Sequence, residues 1–336
     1  MPIQYLTNSA PVIEKVKAFV NEWYAEGTTI EVKTSGSTGI PKTIVHSKKH
    51  MIASARATGD YLNLSKGMKA LLCLSPDTIG GKMMIVRSLI LELELFVVDI
   101  SSSPLDGIEE TFNFAAMVPL QAQNSMLKNS ESLNCIDQLI IGGAPVSNGL
   151  VSILQHADCR CYHTFGMTET ISHIAMRSLN QPQKEAFELL PNIAITVNDN
   201  EQMVITAPEL GVEKLTTNDI IERTSPHQFI WKGRSDFVIN SGGIKLHPET
   251  IESSLSELIT PPFFVSGLQD SLLGEKLVLH IEGTGSYQKS DFTLLLGKFQ
   301  SPKEVYYHAN FHYTSSGKID RSATLNNLPS VTRVLL

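Results

Sequence analysis

Long apolar runs are missing from this sequence. Its most apolar stretch, Ser88 to Ile100, is interrupted by Glu92 and Glu94, so it cannot supply the roughly 20 apolar residues a bilayer span needs. No membrane partner is expected. Met1 to Phe19 is equally unlike a secretory leader, because Glu14, Lys15 and Lys17 break into a helix-like pattern. Cysteine is scarce: Cys73, Cys135, Cys159 and Cys161 are the four present. They read as buried thiols in a cytoplasmic protein rather than as a disulfide framework. Positive charge is also short, with 27 Lys and Arg against 34 Asp and Glu and a formal net charge of -7. That excludes the broad basic surface that nucleic acid requires. An anionic ligand must instead be held by a few local cations and by backbone N–H groups.

What is present fits a folded chain of two domains. Hydrophobic residues make up 42% and charged residues 18% of 336, the proportions of a protein with a proper core. Val12, Val16, Phe19 and Trp23 share one side of a predicted helix. Thr29 to Lys33 is a β-rich run. Lys48–Leu62, Met83–Leu91, Gln121–Leu127 and Val146–Gln155 read as helices, alternating with strands at 70–74, 96–99, 114–118 and 138–141. Such alternation predicts an α/β fold whose large amino-terminal part is a parallel sheet covered by helices. Short strands at 193–197, 203–207 and 229–232 suggest a small antiparallel or barrel-like region. A second pattern follows the turn Gly233 to Asp236: strand 237–240, helix 248–258, strands 263–268 and 277–281, helix 291–296, strand 305–311. It predicts a smaller α+β carboxy-terminal domain, with the division at 1–234 and 235–336.

The strongest local feature is the run Thr34, Ser35, Gly36, Ser37, Thr38, Gly39, Ile40, Pro41, Lys42. Glycines let several N–H groups converge on one anion. The hydroxyls of Thr34, Ser35, Ser37 and Thr38 add donors, and Lys42 adds charge for phosphate oxygens. The familiar P-loop has Gly directly before Lys and a helix after it. Here Pro41 precedes Lys42 and opposes an immediate helix.

This run resembles the phosphate-binding loop of the acyl-adenylate-forming (AMP-binding) enzymes, a superfamily that includes acyl- and aryl-CoA ligases. The resemblance assigns Thr34, Ser35, Gly36, Ser37, Thr38, Gly39 and Lys42 to the β- and γ-phosphates of ATP. Further segments match in the family's order. Gly142, Gly143 and Ala144 correspond to a turn bordering adenine. Phe165, Gly166, Met167, Thr168 and Glu169 resemble its aromatic-Gly-x-Thr-Glu motif, with the ring against adenine, Thr168 on the α-phosphate and Glu169 on Mg²⁺. Phe165 stands where Tyr is usual, so stacking survives and a phenol hydrogen bond does not. Thr217, Asn218 and Asp219 resemble Thr-Gly-Asp, whose Asp holds the ribose hydroxyls; Asn218 replaces Gly, and Asn tolerates a left-handed turn. Arg234 follows as a second ribose contact and Asp236 as the hinge. Gly242, Gly243 and Lys245 resemble the loop lining the pantetheine tunnel; taken alone, they read as a hairpin turn. Lys318, in Ser315 to Arg321, resembles the lysine that bridges the substrate carboxylate and the α-phosphate.

The resemblance implies a reaction in two halves, adenylation of a carboxylic acid and transfer to coenzyme A, with the carboxy-terminal domain turning between them. Only 33 residues precede Thr34, fewer than most members carry. Such short forms resemble o-succinylbenzoate–CoA ligases of menaquinone biosynthesis, as does the segment from Leu74 to Leu89. That acid's second carboxylate needs a cation, for which Lys82 and Arg87 are the candidates. Other aryl- or fatty acyl–CoA ligases, a stand-alone adenylation enzyme that loads a carrier protein, and a catalytically inactive nucleotide-binding relative remain as alternatives. The short amino-terminal region leaves room for a homodimer covering exposed sheet. His156, Cys159, Cys161 and His163 are spaced too tightly for an ordinary zinc site; the cysteines read as buried thiols on a strand, facing away from Tyr162.

Overall fold

The computed structural model describes residues 2–33, 42–297, 299–313, 319–326 and 332–335. The chain opens with β1 (Ile3–Tyr5) and α1 (Ala10–Tyr24), then β2 (Thr29–Lys33) and β3 (Thr43–Ser47), which pair as a separate antiparallel ladder. Next come α2 (Lys48–Leu62), β4 (Lys69–Leu72), α3 (Ile79–Ile90), β5 (Glu94–Val97), β6 (Phe112–Met117), α4 (Pro119–Lys128), β7 (Ile136–Ile141), α5 (Asn148–Leu154) and β8 (Arg160–Gly166). In α1 the apolar stripe is buried as its spacing predicts: Val12, Val16, Phe19 and Trp23. The start of α3 is set by Thr78, whose hydroxyl accepts the N–H of Gly81 and so satisfies one otherwise orphaned donor.

Strands β1, β5, β4, β6, β7 and β8 lie side by side in that order and pair in parallel. Alternation in the strands divides the core between the two faces. Ala70, Leu72, Leu95 and Val97 join one cluster with α1, α2 and α3 residues. Leu71, Phe96 and Val98 join another with residues of α4 and α5. Cys159 and Cys161 are buried in the second cluster, whereas Tyr162 packs edge-on against Tyr61 beside the first. Cys73 is buried as well, Cys135 is half-buried, and all four thiols are free.

The short strands expected at 193–197, 203–207 and 229–232 form and pair antiparallel as expected, and they extend this sheet rather than standing apart as a barrel. β9 (His173–Ser178), β10 (Phe187–Leu189), β11 (Ala194–Val197), β12 (Gln202–Ala207), β13 (Val212–Ser225) and β14 (Gln228–Arg234) continue from β8 in the order β9, β10, β14, β13, β12, β11, giving one sheet of twelve strands. All these added pairs are antiparallel. The sequence gives little sign of the 14-residue β13. Its register shifts and its many exposed polar residues break strict alternation, the signal by which a half-buried strand is read.

A second sheet follows, built from β15 (Ile239–Ser241), β16 (Ile244–Leu246), β17 (Phe263–Asp270), β18 (Gly274–Glu282), β19 (Glu304–His308) and β20 (Thr332–Leu335). With α6 (Pro248–Leu255), α7 (Lys289–Thr293) and α8 (Arg321–Leu325) it encloses a third cluster around Ile251, Leu255, Leu279 and Phe292. α7 begins before Asp291 because that carboxylate accepts the N–H of Gln288; Asp291 is part of the first turn rather than its start. Among the described residues no helix is long and apolar enough to cross a membrane.

Phe229 on β14 is fully buried against Phe165 at 5.2 Å and Phe187 at 5.4 Å. Phe229→Ala should lower unfolding stability by about 3–5 kcal/mol in urea titration. A loss below about 1 kcal/mol would contradict this packing.

Candidate active site

Parallel strands present their carboxyl ends at one edge of a sheet, and ligands of open α/β sheets bind there. β7 ends at Ile141 and leads into Gly142, Gly143 and Ala144; the N–H of Gly142 donates to the carbonyl of Met117 at the end of β6. β8 ends next door, and a short 3₁₀ turn, Thr168–Thr170, follows it. The two strand-end turns are therefore neighbours. His163 of β8 ties them, since its imidazole hydrogen-bonds the backbone at Ala144 and lies beside Arg177. Burial, reinforced by Arg177, brings its pKa down to about 3, so the ring is neutral.

The chain reverses between Gly166 and His173 to begin β9. A Cβ at Gly166 would lie 2.3 Å from the carbonyl oxygen of Ser172, so only glycine permits this approach. Thr170 holds the reversal together: its hydroxyl accepts the N–H of Met167 and contacts the carbonyls of Met167 and Ser172 at 3.0 and 2.8 Å. Buried Ile171 has φ of 67°, an unfavourable conformation for a β-branched residue. The turn leaves Glu169 exposed and Thr168 half-buried.

Phe165 packs edge-on against both Phe187 and Phe229. Two residues on along β14, Trp231 packs against the same core cluster as Phe229, and its indole N–H donates to Asp219 Oδ1 at 2.9 Å. Asp219 on β13 is directly opposite Arg234 on β14. Residues fifteen apart in sequence thus meet across one antiparallel pair. The segment Thr217 to Asp219 is extended within β13, not a left-handed turn; Asn218 needs no glycine-like conformation there and bonds Asp236 through its amide. Arg234 grips Asp236 with two hydrogen bonds of 2.9 and 2.7 Å. Asp236 lies on the connection from the first sheet to the second.

Gly242 and Gly243, with φ of 58° and 81°, form the turn between β15 and β16. This is the hairpin with a Gly-Gly turn, the conformation both central positions require. Lys245 on β16 pairs with Glu201. Lys42 is exposed immediately before β3; Pro41 is followed by a strand, not a helix. Residues Thr34 to Gly39 and Lys318 lie outside the described residues.

The two cations of α3 have different surroundings. Lys82 lies over the Phe19 ring at 4.3 Å and 3.6 Å from a carboxylate oxygen of Glu22, both on α1. Arg87 is 1% exposed and, among the described residues, bonded by uncharged groups: Nε donates to Thr58 Oγ1 at 3.2 Å and Nη2 to Ser172 Oγ at 2.7 Å. Burial brings its pKa down to about 9. Ser172 places this guanidinium beside the Thr168–Thr170 turn. Sequence reasoning missed Trp231, Thr58, Ser172 and His46. The last is buried on β3, faces the Thr168 backbone near Glu169, and has an unpartnered Nε2. Only Trp231 carried a signal, its place three residues before Arg234. Among the described residues no cluster of three or more His, Cys, Asp or Glu could hold a metal. A cation at Glu169 would draw its other oxygens from a bound phosphate and water, an arrangement suited to Mg²⁺.

Residues 33–211 match the family model described as AMP-binding enzyme. An acyl-CoA synthetase (AMP-forming)/AMP-acid ligase II-like protein from Dyadobacter fermentans is 34% identical, with 95% of each chain covered and a TM-score of 0.65. The o-succinylbenzoate CoA synthetase of Bacillus subtilis, solved with its acyl-adenylate intermediate, superposes with a TM-score of 0.78 at 19% identity, over 91% of this chain and 70% of that one. A 2-succinylbenzoate–CoA ligase of Listeria monocytogenes is 23% identical over 92% of this chain and 72% of its own length.

Gly166→Ala should cost about 1–3 kcal/mol, because the new methyl group meets backbone rather than a movable side chain. An unchanged thermal melting curve would show that β9 does not approach β8 this closely.

Proposed function

This chain belongs to the AMP-binding enzyme family, and from that premise we propose that it is an ATP-dependent acid–CoA ligase, forming an acyl-adenylate and then a CoA thioester. The observation that carries the reading is the continuity of the site: two strand-end turns side by side, joined through Phe165, Phe229 and Trp231 to Asp219 opposite Arg234. A turn offering backbone and hydroxyl groups beside a carboxylate–guanidinium pair suits a nucleotide, with phosphate at the turn and ribose at the pair.

In this reading Thr168 contacts the α-phosphate and Glu169 holds Mg²⁺, which neutralises phosphate charge. Phe165, Gly142, Gly143 and Ala144 border adenine. Thr34 to Gly39, with Lys42, hold the outer phosphates. The acid's own carboxylate is the nucleophile, so positioning and charge neutralisation carry the catalysis. Lys318 bridges that carboxylate and the α-phosphate in the first half-reaction. Residues 235–336 then turn about Asp236, and Gly242, Gly243 and Lys245 line the path of pantetheine.

For the acid we assign o-succinylbenzoate, with the CoA ester destined for menaquinone synthesis in the cytoplasm. The similarity to the succinylbenzoate–CoA ligases of Listeria and Bacillus supports it, as does a buried Arg87 whose charge no carboxylate among the described residues offsets. A buried charge without a counter-ion is costly, and a substrate carboxylate would supply one. Lys82, already beside Glu22, is the weaker candidate.

The test is acid-dependent pyrophosphate release with ATP, Mg²⁺ and CoA across o-succinylbenzoate, benzoate, acetate and medium-chain fatty acids. Turnover confined to o-succinylbenzoate, with its thioester as product, is expected. Turnover of another acid alone would overturn the substrate assignment, and none with any acid would favour an inactive relative. Lys318→Ala should abolish adenylation yet retain thioester formation from supplied acyl-adenylate; equal loss of both would remove its bridging role.

A further inference from the structure

Around Arg87 is a closed set of uncharged hydrogen-bonding groups. Thr58 is fully buried on α2, and His173 is 6% exposed at the start of β9. Thr58 Oγ1 accepts Arg87 Nε–H at 3.2 Å, lies 3.0 Å from His173 Nε2, and donates to the carbonyl of Ser54 at 3.1 Å. Ser172 Oγ accepts Arg87 Nη2–H at 2.7 Å and lies 3.3 Å from His173 Nδ1. One proton arrangement satisfies every member. Neutral His173 donates from Nε2 to Thr58, whose single proton goes to Ser54. Ser172 donates its proton to His173 Nδ1. Burial, then the nearby Arg87 charge, holds the His173 pKa well below its ordinary value, so no second cation forms there.

This network fixes the guanidinium on two sides without neutralising it. Among the described residues Arg87 Nη1 meets the Met84 thioether alone, at 4.0 Å, a weak acceptor. Of the five guanidinium donors, one on Nη2 and two on Nη1 are left without an oxygen or nitrogen acceptor among the described residues, and donors on both of those nitrogens can pair with the two oxygens of a carboxylate. An Asp or Glu in place of Thr58 or Ser172 would hold the arginine equally well and cancel its charge.

We propose that Thr58, Ser172 and His173 are positioning residues that keep Arg87 as a receptor for a second carboxylate and so set the preference for an aryl dicarboxylate over the corresponding monocarboxylate. This rests on the substrate reading of Arg87 above and deepens it. Ser172 also links acid recognition to the Thr168–Thr170 turn, since its hydroxyl holds Arg87 while its carbonyl contacts the Thr170 hydroxyl.

The experiment compares kcat/KM for o-succinylbenzoate with that for 4-oxo-4-phenylbutanoate, which lacks the ring carboxylate, on the same preparation of each full-length variant. The ratio is insensitive to partial unfolding, because both acids report on the same folded fraction. Wild type should favour the dicarboxylate by at least about tenfold, the size expected of a hydrogen-bonded charge pair. Ser172→Ala and Thr58→Val should each cut that ratio several-fold through a higher KM for the dicarboxylate, and Thr58→Ser should restore most of it. Equal losses for both acids, or an unchanged ratio in the two variants while Arg87→Lys collapses it, would overturn the positioning role and leave Arg87 as the receptor. A ratio near one in wild type, or one unmoved by Arg87→Lys, would overturn the substrate reading itself and this inference with it.

Discussion

Between Gly166 and His173 the large sheet changes from parallel to antiparallel pairing, and the chain must reverse without a crossover helix. A parallel neighbour can be reached only by a long connection, whereas an antiparallel one needs a short turn. The short turn brings Ser172 so close to β8 that no side chain fits at Gly166. It also forces Ile171 to positive φ and leaves the backbone of residues 167–170 to be satisfied by Thr170. Strain of this kind persists where surrounding packing over-determines it. Here the packing comes from Ile171 and Ile174, both fully buried in the main core.

That reversal organises the surroundings of the site. On one side it sets Thr168 and Glu169 beside the Gly142 turn. On the other, Ser172 and His173 reach α2 and α3 and meet Thr58 and Arg87. The antiparallel strands beyond it bring β14 against the same aromatic cluster, so that Phe229 and Trp231 connect the turn to Asp219 and Arg234. The second sheet begins directly after Arg234, and contacts such as Thr250 to the Lys232 carbonyl and Asn148 to Ser253 join it to the first.

Charge follows an economical pattern. The protein is acidic overall, yet Arg234 is paired with a carboxylate, Asp236, while among the described residues the strong partners of Arg87 are hydroxyl groups. The difference has consequences. A bidentate carboxylate locks a guanidinium and spends its charge; hydroxyl groups lock it and leave the charge available, at the cost of burying it uncompensated.

Much of the fold was legible in the sequence. The stripe Val12, Val16, Phe19, Trp23 determined α1, and the Gly/Ser/Thr run closed by Pro41 and Lys42 excluded an ordinary P-loop, as the strand β3 bears out. Alternating strands and helices up to Gln155 determined the parallel half, because periodicity records which side of an element is apolar. Periodicity says nothing of which strand lies next to which, so β11, β12 and β14 were legible as short antiparallel strands, but not as a continuation of the parallel sheet through β9, β10 and β13. Tertiary structure alone decided that Asp219 faces Arg234, that Lys82 turns to α1 while Arg87 turns to Ser172, and that Thr58 and His173 join them. The reason is physical: a hydrogen bond between buried side chains depends on distance and direction across elements far apart in the chain, and one-dimensional spacing encodes neither.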